Sequence, residues 1–377
     1  MVARSKRRES GFSLLEMVVA TALGTLVLGA AVQIYVQGVN ATWTVTQRAE
    51  MQQDFRAASN MLTTDLSMAG AGLGPGAAIP LPASATLPLV GCAQVSGNPC
   101  YLGTSNNAGV AYPTQSGTPY LYGLLPAYND GPTTYAAQGA TDAVTVVYTD
   151  AAFYLDCYQA TVASTTTVTF TLTAASQASA NCTANGNTIQ NVNDSAVGLT
   201  AGDLLLFTFG ASQVVAEVTT PAASTVTFAS GDALKMNQTT ATNSLGKVAV
   251  NTTGTATRLL VITYYIDNTV SPPRLMRQIS GHTPMPVAEN VTYMKFTYDL
   301  FNDATSTYAV QQCNPGAGDS CDTASAGLLP NQVTKINIVH MAMTSPLKGA
   351  SGYQGLDLET SVSARNLTYS NNYQQSP

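Results

Sequence analysis

Between Met17 and Val32 the chain carries no charged residue, and the apolar run continues to Val36. About 20 residues of this kind are enough for a helix that crosses a bilayer. Arg4, Lys6, Arg7 and Arg8 come first, a basic flank of the sort that stays on the cytoplasmic side. One acid breaks the pattern. Glu16 sits at the start of the apolar stretch, where a carboxylate costs about 2.5–3.5 kcal/mol on insertion scales and is usually kept because it has a partner.

Beyond the apolar run the periodicity changes without a break. From Trp43 onward, apolar residues recur at Met51, Phe55, Ala58, Leu62, Leu66 and Ala69, in steps of three and four that trace one helix face. Gln47, Arg48, Gln52, Asp54, Arg56 and Asp65 fill most other positions. The glycine-rich stretch 70–76, with Pro75, then ends the pattern as a helix stop. It follows a helix rather than a strand, which argues against a nucleotide-binding loop. The spacing predicts one helix over 12–69, about 85 Å long at 1.5 Å per residue, membrane-spanning over 12–36 and amphipathic above.

Residues 70–141 are rich in Pro, Gly, Ala and Tyr and show few periodic runs, so an irregular excursion is expected there. From Asp142 the pattern turns to β. Residues 143–148, 165–172, 202–210, 213–219 and 224–228 read as strands of an antiparallel meander, with 202–210 apolar enough to be buried. Asp203 and Asp232 follow glycines at strand boundaries and read as turn acids. The last third is strand-rich again, at 258–266, 274–279, 291–300, 332–344 and 356–366. The expected architecture is α+β: a long N-terminal helix packed on a mainly antiparallel sheet. A β-rich region over 142–250 is inserted before a C-terminal sheet region over 251–377.

Composition adds an exported character. Charged residues are 10% of the 377, against about a quarter in average globular chains. Removing the ten residues before Gly11 takes away four bases and one acid, leaving 11 Lys/Arg against 20 Asp/Glu, a net charge of −9. An acidic, base-poor head is a poor match for a nucleic-acid backbone. The six cysteines fall into local pairs, Cys92 with Cys100, Cys157 with Cys182 and Cys313 with Cys321. An even count in an exported chain reads as disulfides; six cysteines allow 15 connectivities, of which sequential pairing is the favoured one.

No pattern supports catalysis, a cofactor or a metal. His282 lies in a turn-like segment and His340 in an expected strand, and neither has helical i, i+4 partners. No nucleophile elbow, zinc-protease or phosphate-loop sequence occurs. Asp299, Asn302 and Asp303 bring oxygen side chains close together but lack the glycine and distal glutamate of a calcium loop.

Three readings fit the N-terminus: a signal peptide cut near Gly29-Ala30-Ala31, a plain anchor, and a type IV prepilin leader. Gly11-Phe12-Ser13-Leu14-Leu15-Glu16 resembles the leader of type IV pilins and pseudopilins. The resemblance implies a leader over 1–11, cleavage between Gly11 and Phe12 by a prepilin peptidase, N-methylation of Phe12, and a register-setting role for Glu16. Segments of the last 120 residues, among them 264–266, 274–277, 286–291, 296–299, 333–338 and 360–366, resemble PilW-type minor pilins in their order. That resemblance implies a minor pilin working in assembly initiation or the filament tip. Its partners would be other minor pilins, the major pilin and the inner-membrane assembly platform. The chain would sit in the inner membrane before assembly and on the cell surface afterwards. A type II secretion pseudopilin, or a tip adhesin using the unmatched middle, are the alternatives.

Overall fold

The computed structural model describes residues 12–74, 77–82, 114–115, 117–129, 131–134, 139–150, 155–173, 191–232, 236–302, 307–313, 330–344 and 355–367. The chain begins with helix α1 (Leu14–Ser67), 54 residues without interruption. Four short strands follow: β1 (Ala78–Pro80), β2 (Thr114–Gln115), β3 (Thr118–Tyr122) and β4 (Leu124–Ala127). Then come β5 (Ala143–Thr149), β6 (Tyr158–Ser164), β7 (Thr167–Leu172), β8 (Leu204–Phe209) and β9 (Ser212–Glu217). After β10 (Thr220–Pro221) and β11 (Thr225–Thr227) runs the longest strand, β12 (Thr253–Asp267). The chain closes with β13 (Arg274–Ile279), β14 (Met285–Glu289), β15 (Val291–Asn302), β16 (Thr307–Cys313), β17 (Val333–Thr344) and β18 (Gly355–Ser363). All pairings between these strands are antiparallel, so the expected α+β class holds.

The helix changes partner along its length. Its lower part, up to Glu50, is exposed apart from four half-buried residues; Met51, Phe55, Ala58, Leu62, Asp65 and Leu66 are buried against the head. Burying a large apolar side chain is worth about 1.5–3 kcal/mol, so the upper helix is held by packing rather than by propensity. Its end is turned sharply. Gly70 has φ +79°, and a β-carbon there would stand 2.6 Å from Leu367 Cδ2. The Gly70 N–H donates to Val147 O at 2.9 Å, docking the helix end on β5.

β12 joins the parts of the head. Its start pairs with β6 and β8, and its end with β5 and β13. The region 142–250 is therefore woven into one 11-stranded sheet together with β4, which precedes it, and with β12, β13 and β14, which come from the C-terminal region. The rest of that region forms a separate four-stranded sheet, in the order β16-β15-β17-β18. The expected border near residue 250 does not divide the sheets, because the 15-residue β12 is long enough to pair with both halves.

Two apolar cores result, and the β8–β9 hairpin is the wall between them. Leu204, Leu206 and Val215 face the core beneath α1, while Leu205, Phe207, Phe209, Val214 and Ala216 face the second. Both faces being buried, Leu204–Phe209 reads as a nearly unbroken apolar run rather than an alternation. In the second core the Phe207 ring stacks on Phe209 and meets Phe228 edge-on.

The stretch 70–141, expected to be irregular, carries β1 to β4 among its described residues. β4 pairs with β5, and Leu121, Tyr122, Leu124 and Leu125 are fully buried. Pro126 within β4 and Gly123 between β3 and β4 hide these strands from periodicity.

Candidate functional site

The surface that stands out is the helix α1, and its chemistry lies at its two ends. At the N-terminal end Ser13 caps the helix: its Oγ accepts from Leu15 N at 3.2 Å, and Glu16 Oε2 accepts the Ser13 N–H at 3.1 Å. This is a reciprocal capping box, satisfying donors that a helix start leaves unpaired. Within this chain Glu16 thus already has one hydrogen-bond donor, at the positive end of the helix dipole. Phe12 is 91% exposed, and Leu14, Leu15, Met17, Leu26 and Ile34 are also exposed. One 18-residue window of the helix has a mean hydropathy of 2.0 and buries none of its residues, so the described residues supply no cover for it.

At the other end the helix is anchored by a buried carboxylate. Tyr148 OH donates to Asp65 Oδ1 at 2.9 Å and Tyr264 OH to Oδ2 at 2.6 Å. Arg277 Nε donates to Oδ2 at 2.8 Å and to the Tyr264 hydroxyl at 3.1 Å. Tyr264 and Arg277 stand directly opposite each other on β12 and β13, and Tyr148 comes from β5. Three strands of the large sheet thus converge on one helix residue. Burial, then the Asp65 carboxylate, push both tyrosine hydroxyls far above the usual tyrosine range, which keeps them protonated donors. Burial is the largest single influence and works against the Arg277 charge, but the hydrogen bond and charge of Asp65, with the contacts of Tyr264, together outweigh it, so the guanidinium is held charged.

The acids and histidines of the head form structural pairs. Asp203 Oδ2 accepts from Thr200 N at 2.8 Å, as a turn acid does, and its Oδ1 meets His282 Nε2 at 2.8 Å. Arg258 bridges Asp203 and Asp150. His340 Nδ1 meets Asp357 Oδ2 at 2.9 Å across β17 and β18 on an exposed face. Asp232 accepts from Met236 N and Asn237 N, and Asn237 Oδ1 in turn accepts from Glu217 N of β9. Asp299 Oδ1 accepts from Asn337 Nδ2 at 3.1 Å; Asp303 lies outside the described residues. Among the described residues no group of three His, Cys, Asp or Glu side chains is placed to hold a metal ion.

The hydrogen bond to Asp203 raises the His282 pKa above 6.5, with burial opposing it. A folded state that holds the proton more tightly gains stability below the unfolded value and loses it as pH rises through the folded one. The expected result is that wild type outlasts His282→Gln on heating at about pH 6, and that the gap closes by about pH 9. Melting curves of the two proteins at both pH values check this, and a gap that widens with pH contradicts it.

Gly11 and the cysteines Cys92, Cys100, Cys182 and Cys321 lie outside the described residues, and so does the sequential pairing. Cys157 is buried and disulfide-bonded. Cys313 ends β16, opposite Tyr298 of β15. Phe12 lies just before the Ser13 cap of α1 and Glu16 in its first turn, both exposed. The anchor at Asp65 was not foreseen. Its only signal in the sequence is an acid on the same helix face as Leu62 and Leu66, where an apolar residue would serve the pattern.

Residues 6–32 match the family model described as the prokaryotic N-terminal methylation motif. No curated protein and no solved structure matches the chain. The chain thus carries a prepilin-type leader followed by an apolar helix able to cross a membrane, the arrangement common to type IV pilins and pseudopilins in general.

Proposed function

We propose that the protein is a minor pilin of a type IV pilus, acting in assembly initiation or at the filament tip by packing of its stem helix. The prepilin peptidase cuts between Gly11 and Phe12 and methylates Phe12. The anchored subunit waits in the inner membrane with its head in the periplasm, then passes through the assembly platform into a bundle with other minor pilins and the major pilin. The observation that carries this reading is the uninterrupted 54-residue helix, exposed below Met51, apolar after Glu16 up to Val36, and locked to the head above Met51. Such a stem has a surface for like helices and a rigid link to whatever the head meets. No chemical step is involved. PilW-like segments of the last 120 residues favour a minor pilin over a type II secretion pseudopilin, which shares the leader and the stem.

The test is the N-terminus and intact mass of the protein from its native membrane fraction. A chain that begins at Phe12 and is heavier by one methyl group is the expected result. A chain that begins near Val32 makes the apolar run a discarded signal peptide and ends the stem reading. Co-purification from crosslinked membranes then separates pilus from secretion partners.

A further inference from the structure

The helix is longer than a membrane needs, and the excess has a chemistry of its own. After Glu16 the next charge is Arg48, so 31 consecutive residues are uncharged. About 20 residues suffice to cross a hydrocarbon core of about 30 Å. The head buries its first helix residue only at Met51. Between these limits, 37–50 are mostly exposed, and neither a hydrocarbon core beginning at Met17 nor the described head covers them.

Helix rise places the landmarks, since α1 is unbroken. With Glu16 at the inner boundary, Tyr35 lies 19 residues on, about 28 Å, at the outer edge of the hydrocarbon. Trp43 lies 27 residues on, about 40 Å along the axis, which at the usual tilt of about 20° is about 38 Å along the membrane normal, at the outer margin of the headgroups. Both rings are exposed, 72% for Tyr35 and 60% for Trp43. Gln37, Asn40, Thr42 and Thr44, which suit a half-wet layer, fill the interval, and the threonine hydroxyls are turned back onto the helix, to Gly38 O and Asn40 O. Tyrosine and tryptophan concentrate at this depth because each joins an apolar ring to a polar tip.

We propose that 35–43 is a lipid-headgroup contact, with Tyr35 and Trp43 bracketing the outer interfacial layer of the membrane that holds the unassembled subunit. The inference rests on the anchored reading given above. It fixes the height of the head: Met51, eight residues past Trp43, stands about 12 Å beyond the headgroups. The head is then held clear of the bilayer, and Arg48 and Glu50 lie in water between them.

Trp43 is the only tryptophan, so the full-length chain reports its own depth. The experiment places it in phosphatidylcholine–phosphatidylglycerol vesicles at high lipid excess, confirms co-flotation, and measures tryptophan emission. The vesicles contain lipid that carries a quencher either on its headgroup, as a nitroxide-labelled choline, or high on its acyl chain, as bromine. The expected result is emission shifted to the blue of the guanidinium-unfolded chain, quenched more by the headgroup label than by the bromine. In Tyr35→Trp/Trp43→Phe, the preference moves toward the bromine. Emission quenched by aqueous iodide and by neither lipid overturns the contact, as does strongest quenching of Trp43 by the bromine. Blue-shifted emission that neither quencher reaches, and that moves to the red as lipid dilutes the protein, makes a second stem the occupant and also overturns it. Chains that do not float overturn the anchored reading itself, an outcome separate from flotation with the wrong depth.

Discussion

Asp65→Ala is expected to destabilise the protein by about 3 kcal/mol, the lower end of the range for breaking a buried ion pair by deleting one partner. The lower end applies because Arg277 keeps 21% of its side chain exposed, against 8% for Asp65. The loss has three parts. The Arg277 charge is left half-buried without its carboxylate, and the Tyr148 and Tyr264 hydroxyls each lose their acceptor. A buried donor left unsatisfied costs about 1–3 kcal/mol on its own. The contribution is to specificity as much as to strength. Asp65→Leu with Arg277→Met is expected to recover only the Arg277 share, because both tyrosine hydroxyls stay without an acceptor. Adding Tyr148→Phe and Tyr264→Phe is expected to recover most of the loss, since a buried polar cluster replaced by packed apolar groups is often near neutral. Urea denaturation of the full chain in detergent, followed by tyrosine near-ultraviolet circular dichroism, measures both. An Asp65→Ala midpoint within about 1 kcal/mol of wild type rules out the anchor, since surface substitutions stay near ±0.5 kcal/mol.

That anchor also shows where reading along the chain stops. The helix was legible because its signal is local: steps of three and four from Met51 to Ala69, and glycines at 70, 72 and 74 to end it. The apolar run at 204–209 was legible as buried for the same reason. Asp65 is also local in sequence, but its partners are 83, 199 and 212 residues away, and nothing in spacing says which strands a buried acid will meet. Asp203 was legible as a turn acid and is one, through Thr200, yet it also gathers His282 from the turn between β13 and β14 and Arg258 from β12. Strands β3 and β4 escaped because burial, not alternation, makes them strands. Leu121, Tyr122, Leu124 and Leu125 straddle Gly123, whose N–H donates to Ala77 O at 2.8 Å in the crowded helix–sheet junction. The border near residue 250 is a related case. It marks where the resemblance to minor pilins begins, whereas hydrogen bonding follows β12, which pairs with strands that precede that border in the chain as well as with β13 after it.

Glu16→Ala is expected to abolish incorporation into the filament while leaving membrane insertion intact. Two effects are removed together and have to be separated. The first is local: Glu16 accepts the Ser13 N–H, and a lost cap costs a helix about 1 kcal/mol. The second is the negative charge itself, which in a bundle of stems meets the free amine at Phe12 of a neighbour and sets the stagger between the two. Ser13→Ala removes the hydroxyl half of the capping box and keeps the carboxylate. Glu16→Gln keeps an oxygen able to accept the Ser13 N–H and removes the charge. If charge sets register, Glu16→Ala and Glu16→Gln both fail to assemble and Ser13→Ala assembles. If capping is what assembly requires, Ser13→Ala fails with Glu16→Ala, and Glu16→Gln is largely spared. Insertion is expected to be at least as good in both Glu16 variants, because each removes a charge from the edge of the apolar segment, where it costs less than the ~2.5–3.5 kcal/mol of a helix centre. Sheared-filament fractions compared with membrane fractions, each checked for cleavage after Gly11 by mass, read the outcome. Normal filament incorporation of Glu16→Gln removes the register argument and leaves the carboxylate as a helix cap.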